Sequence, residues 1–147
     1  MVSNEFGIAE FAWTGGSAPW AVRSAIADGL ERAAEHVKRT MRRLINKPYP
    51  PASRPGQPPR KRRPSTGLRA NIDIWINRKT LQAYVGPNRN APHGIWLEKG
   101  TRKMKPRPFM MRALRMERTR VNNIIKRAAT VAFNKHAKQS QQKGRKR

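Results

Sequence analysis

Seven apolar residues, Val22, Ile26, Leu30, Ala33, Val37, Met41 and Leu44, recur at steps of four, four, three, four, four and three. That spacing holds them on one side of a 3.6-residue helix and would scatter them over both faces of a strand. It predicts an amphipathic helix from about 17 to 45. Ser17 stands where an N-cap is expected, and Pro19 suits the first turn. Arg42, Arg43 and Lys47 lie where cations favour the C-terminal end of the helix dipole. At 1.5 Å per residue such a rod is about 40 Å long, most of a domain's width. The rest of a chain of this size has to be arranged along it.

Pro48 stops the helix, and seven prolines fall between positions 48 and 64. Such a run cannot form a helix or a sheet ladder. It predicts a mobile basic loop, 47–66, inside one domain, and loops longer than about 12 to 15 residues are usually functional or disordered. Beyond it the pattern changes period. Leu68, Ile72, Ile74 and Ile76 alternate with Asn71, Asp73, Trp75 and Asn77, as in a half-buried strand. A turn at Asn77-Arg78-Lys79 and a second strand over Leu81–Gly86 complete a hairpin. Residues 87–93 form another loop, and Gly94–Glu98 leads into a turn at Lys99-Gly100-Thr101.

A second helix is expected from Pro106-Arg107-Pro108. Its apolar face is Phe109, Met110, Ala113, Leu114, Val121, Ile124, Ile125, Ala128 and Ala132, fading near His136. The opening stretch, residues 1–16, is either an edge strand or an arm packing on a neighbour. Residues 138–147 are Gln, Lys and Arg with little else and are expected to be disordered. The plan is α+β: one domain over 17–137, with a long N-terminal helix, a small antiparallel sheet, and a C-terminal helix packed on the sheet.

Charge sets the function class. The chain carries 33 Lys and Arg against 8 Asp and Glu, a net charge of +25. Five of the acids, Glu5, Glu10, Asp28, Glu31 and Glu35, lie in the first 35 residues with only Arg23 and Arg32 opposing them, so the remaining 31 bases face just Asp73, Glu98 and Glu117. An excess this large needs a polyanion. There is no cysteine, hence no disulfide, thiolate metal site or cysteine nucleophile. His36, His93 and His136 are too scattered for a metal site, and a metal-dependent nuclease would have only those three carboxylates to draw on. No apolar run approaches the roughly 18 residues of a membrane span, and the start Met1–Glu5 is unlike a signal peptide. The expectation is no enzyme, no cofactor, no membrane, and synthesis in a cytoplasm.

Four short motifs occur in order: Pro55-Gly56-Gln57-Pro58-Pro59; Thr66-Gly67-Leu68-Arg69 leading to Ile72; Ile95-Trp96-Leu97-Glu98-Lys99-Gly100-Thr101; and Pro106-Arg107-Pro108-Phe109. Together they resemble the tail-component family of long-tailed bacteriophages, whose members complete the tail at the neck and join it to the head. The likeness covers about residues 17–135. This chain departs from it at His93-Gly94, where the family more often has Tyr-Ala, and in its extreme charge. The resemblance implies a virion protein forming a ring of six subunits, without catalytic residues. Its implied partners are further copies of itself, a head-closure or connector protein, the tail tube protein, and double-stranded DNA in the lumen.

The residues also carry readings of their own. Glu98 pairs with a base or caps backbone N–H groups, locally or across a subunit boundary, or else is a solvated turn carboxylate. Gly100 supplies a positive φ. Phe109 anchors the helix start in the core. Trp13, Trp20, Trp75 and Trp96 are read as core or subunit contacts. Arg54, Arg60, Lys61, Arg62 and Arg63 of the loop, with the basic tail, are solvated charge, phosphate contacts to DNA in the lumen, or docking points for acidic surfaces. The alternative from another class is a free basic protein that binds nucleic acid without sequence preference; no helix-turn-helix, zinc or RNA-recognition motif supports it. Six-fold and twelve-fold rings are both open.

Overall fold

The computed structural model describes residues 9–12, 19–45, 54–60 and 67–145, and these form six elements: β1 (Ala9–Ala12), α1 (Trp20–Leu44), β2 (Ile72–Asn77), β3 (Gln82–Pro87), α2 (His93–Lys99) and α3 (Met110–Arg145). The three strands make one antiparallel sheet in the order β1-β3-β2. The opening stretch therefore contributes an edge strand, with Ala9 opposite Val85 and Ala12 opposite Gln82. The fold is α+β, as the periodicities predict.

Helix α1 is the centre of the molecule. Six of the seven stripe residues, from Val22 to Met41, are fully buried, and Leu44 is partly so. Ala27, Gly29, Ala34 and Thr40 are buried as well, because α1 has the sheet on one side and α3 on another. The sheet presents Ile72, Ile74, Ile76, Ala83 and Val85 to this core, and Phe109, Met110, Leu114 and Val121 close it from α3. Each large apolar side chain removed from water contributes about 1.5–3 kcal/mol, which makes this layer the main source of stability.

The helix begins at Trp20, with the Pro19 carbonyl accepting from the Val22 and Arg23 N–H groups at 3.0 Å. Pro19 thus takes the N-cap position that the sequence assigns to Ser17, which lies outside the described residues. The fixed φ of proline suits this role, and no side-chain cap is used.

The hairpin turn is longer than expected, running to Leu81. The Asn77 side-chain oxygen accepts from the N–H groups of Lys79 (3.0 Å) and Thr80 (3.1 Å), an Asx turn. Leu81 then adopts φ 54 while its side chain is 2% exposed. Left-handed backbone costs a leucine about 1–2 kcal/mol, which its burial offsets. Arg78 bonds Asp28 (2.9 Å) and Glu31 (3.2 Å), and Arg23 donates to the Lys79 carbonyl, so the turn is tied to α1. At the other end of β2, Arg42 donates to the carbonyls of Ala70 and Ile72, both at 3.3 Å.

Helix α3 runs antiparallel to α1, and the two pack tightly at Gly29, where a Cβ would lie 2.7 Å from the Ala128 Cβ. The contact of Thr40 with Glu117 fits the same register. By that register Trp20 is level with about residue 137, and the end of α3 runs past the start of α1. The expectation that the helix fades near His136 into a disordered tail is corrected, since α3 continues to Arg145. Gln, Lys and Arg are good helix formers, no proline intervenes, and loss of apolar contact alone does not end a helix.

Candidate functional site

The residues between α2 and α3 form one joint. The segment expected as a turn around Glu98 is the last turn of helix α2, and Gly100 after it has φ 78. A Cβ at Gly100 would sit 2.7 Å from the Met104 carbonyl and 2.9 Å from the Pro106 nitrogen, so both conformation and space require glycine. Thr101 and Met104 bond each other's backbone at 2.8 and 3.1 Å, turning the chain back. Glu98 then meets the start of α3. Its carboxylate accepts from the N–H groups of Phe109 (2.7 Å), Met110 (2.9 Å) and Met111 (3.0 Å). A carboxylate at a helix N-terminus satisfies groups that lack partners within the helix and sits in the favourable end of its dipole. Of the roles expected for Glu98, the structure selects the local backbone cap; the solvated turn carboxylate is excluded by its 6% exposure. Phe109 is fully buried, as expected.

The four sequence motifs converge here. The Gly56 N–H donates to the Pro106 carbonyl at 2.9 Å, and the Arg107 N–H donates to the Leu97 carbonyl at 2.7 Å. Leu68 lies against Gly94 at the start of α2, and Arg69 Nε donates to the Arg42 carbonyl at 3.1 Å. Pro58 is partly buried and Pro59 buried. Residues 54–60 are thus docked on the α2–α3 connection, which corrects the expectation that the whole loop 47–66 is mobile. Proline rings cannot join a ladder, yet they pack, and one backbone bond at Gly56 fixes them. Within the loop, Arg54 is exposed, Arg60 is half-buried with a contact of its own, and Lys61, Arg62 and Arg63 lie outside the described residues.

The three described tryptophans are not in the core. Trp20, Trp75 and Trp96 are 82%, 43% and 59% exposed, while Trp13 lies outside the described residues. Trp75 projects from the sheet face turned away from α1, beside Tyr84 in the register. Position in the pleat outweighs the apolar character of the ring.

The other carboxylates beyond residue 35 are also engaged. Asp73 accepts from the Asn88 amide at 2.8 Å and has Lys38 at 3.9 Å. Glu117, 7% exposed, accepts from the Thr40 hydroxyl at 2.8 Å and pairs with Arg120 at 3.4 Å. It occupies the gap in the apolar stripe of α3 between Leu114 and Val121, a position that marks it as inward-facing from sequence alone. Beside it the seam between α1 and α3 opens into a hollow of about 700 Å³ that includes His36, Asn123 and Arg127. Among the described residues no cluster of three His, Cys, Asp or Glu is placed to hold a metal, and no helix is long and apolar enough to cross a membrane.

Compared with protein-family models, curated proteins and solved structures, the chain matches none of them. Its chemistry has to be argued from its own geometry. One pattern escapes a search for basic runs: Arg32, His36, Arg39 and Arg43 stand at i, i+4, i+7 and i+11 on α1, a single helical stripe.

Proposed function

We propose that this protein is a structural component of a tailed-phage particle, a tail-completion or neck protein whose copies form a ring at the head-proximal end of the tail, join it to the head and surround the DNA channel. The convergence of the four family-like motifs carries this reading: Gly56, Leu68, Glu98 and Phe109, spread over some fifty positions, meet around α2 and the start of α3, while Arg69 ties the strand entry to α1. Their role is to fix a fold, which suits a subunit with no chemistry to perform. The carboxylates of Asp73, Glu98 and Glu117 are tied to structural partners, and this supports a non-enzymatic protein.

The same engagement leaves few acids to offset the positive charge at the surface, Asp28 and Glu31 beside Arg78 among them. In a ring of six, about 150 positive charges would gather around the channel, screened only over a Debye length of about 8 Å. Exposed Trp75 and Trp96 offer apolar area for subunit contacts with the head-closure and tail tube proteins or with further copies. Charge repulsion keeps the isolated subunit monomeric until DNA or a partner compensates it. In the particle the protein belongs to the neck, and before assembly to the host cytoplasm.

The deciding experiment is electron microscopy of particles made without this protein. Filled heads unattached to tails are expected; intact infectious particles would refute the assignment. A free basic nucleic-acid-binding protein is the second reading, favoured by the open polar seam between α1 and α3, and it predicts that same refuting result.

A further inference from the structure

We propose that the cleft between α1 and α3 binds the phosphodiester backbone of duplex DNA. The docked loop residues 54–60 offer little free positive charge, whereas the cleft is built for it. Two neighbouring hollows of about 700 and 530 Å³ share Arg127 and run along the seam. Arg43, Arg120, Arg127, Arg32 and Lys135 line them. Arg39 is exposed on the same stripe of α1, between His36 and Arg43. From Arg120 to Lys135 the wall of α3 extends about 22 Å. A duplex carries one charge per roughly 1.7 Å of its axis, so the cleft lies alongside several phosphates at once.

Opposing charge in the cleft is already committed. Glu117 at its floor is held by Thr40 and Arg120, and Asp28 at its far end by Arg78. Glu35 lies on α1 between Arg32 and Arg39 but lines neither hollow. Thr119 and Asn123 add neutral groups able to donate to phosphate oxygens. No side chain there is placed to read base edges through a recognition helix, because both helices lie packed against each other along the seam. Recognition is therefore of backbone charge and spacing, independent of sequence.

This inference rests on the DNA contact in the function proposed above, and neither on the ring nor on the virion. The test compares two variants of the full chain that lose four charges each. In one, Arg32→Gln, Arg39→Gln, Arg43→Gln and Arg127→Gln remove four exposed cations of the cleft and its rim, leaving Arg120 and Lys135 in place. In the other, Arg112→Gln, Arg115→Gln, Arg118→Gln and Lys126→Gln change exposed positions of α3 outside it. Binding to a mixed-sequence duplex is measured against salt, with circular dichroism to confirm folding. The cleft variant is expected to lower the slope of log K against log salt by about 3–4, and the outer variant by less than about 1. Equal losses would overturn the site while leaving DNA binding and the particle assignment intact. Displacement of the duplex by polyglutamate at equal charge would overturn it in favour of an acidic protein surface. Failure of the wild type to bind duplex would remove this site and the channel contact together, whereas intact particles without the protein would refute only the virion role.

Discussion

Glu98 and Glu117 are almost equally buried, at 6% and 7%, and both act on α3, yet they are held in opposite ways. Glu98 is surrounded by backbone: three N–H groups at 2.7–3.0 Å, at the start of a helix and in a corner shaped by Gly100. Glu117 has one hydroxyl from α1 and one guanidinium whose side chain is 61% exposed, at the floor of an open cleft. The first carboxylate uses both oxygens and cannot be exchanged without leaving at least one of the three donors unsatisfied. The second can lose its charge and keep its hydrogen bond. A chain with so few acids thus uses one to build the fold, while the other tempers the charge of a surface.

The largest effect is expected at the joint. Glu98→Ala strands the N–H groups of Phe109, Met110 and Met111 beside a fully buried phenylalanine. Loss of a charged acceptor with several buried donors costs about 2–4 kcal/mol. Urea denaturation should show a lower midpoint with an unchanged slope. A loss under about 1 kcal/mol would mean that water replaces the carboxylate, and the contrast with Glu117 would collapse.

Gly100→Ala attacks the same corner through the backbone. The residue has φ 78 and ψ 176, a region that only glycine occupies readily, and a Cβ there meets carbonyl and proline backbone at 2.7–2.9 Å. The expected cost is about 1–3 kcal/mol, since α2 must shift and loosen the Glu98 cap. Combined with Glu98→Ala the two losses should fall short of their sum, as they break one device. Simple additivity in denaturation would show that the turn and the cap act separately.

How much of this could be read from the sequence follows the same divide. The α1 stripe, the β2 alternation and the apolar face of α3 are periodic, and periodicity reports burial directly. Gly100 and Phe109 were legible because a glycine after a helix-like segment and an aromatic after Pro108 each have few physical uses. Glu98 was recognisable as a capping candidate, though its partner lies eleven residues on and required the turn between to be known. For the tryptophans the sequence leaves core and subunit contact open, because ring size argues for burial while the side of the pleat or helix decides it, and exposure of Trp20, Trp75 and Trp96 removes the first alternative. The cleft escaped because its cations come from two helices nearly eighty residues apart, and only the antiparallel register of α1 and α3 places Arg43 near Arg120. The docked loop was missed for a related reason, since its anchor is one backbone bond from Gly56 that no residue type announces.

The smallest change in stability is expected from Glu117→Gln, and it separates the two carboxylates most sharply. The amide oxygen can still accept from Thr40, and only the pair with Arg120 is lost. A partly exposed ion pair of this kind is worth about 0–1 kcal/mol, and removing a buried charge recovers some of its desolvation. Stability should therefore stay within about 1 kcal/mol of wild type. Duplex binding should respond in the other direction: one anion fewer in the cleft strengthens it about two- to fivefold at low salt, an effect that screening removes as salt rises. Glu98→Gln, a change outside the cleft, should leave duplex affinity where it was. If Glu117→Gln instead destabilises the fold by more than about 2 kcal/mol with no gain in binding, then Glu117 is as structural as Glu98 and the cleft loses its tempering charge as an argument.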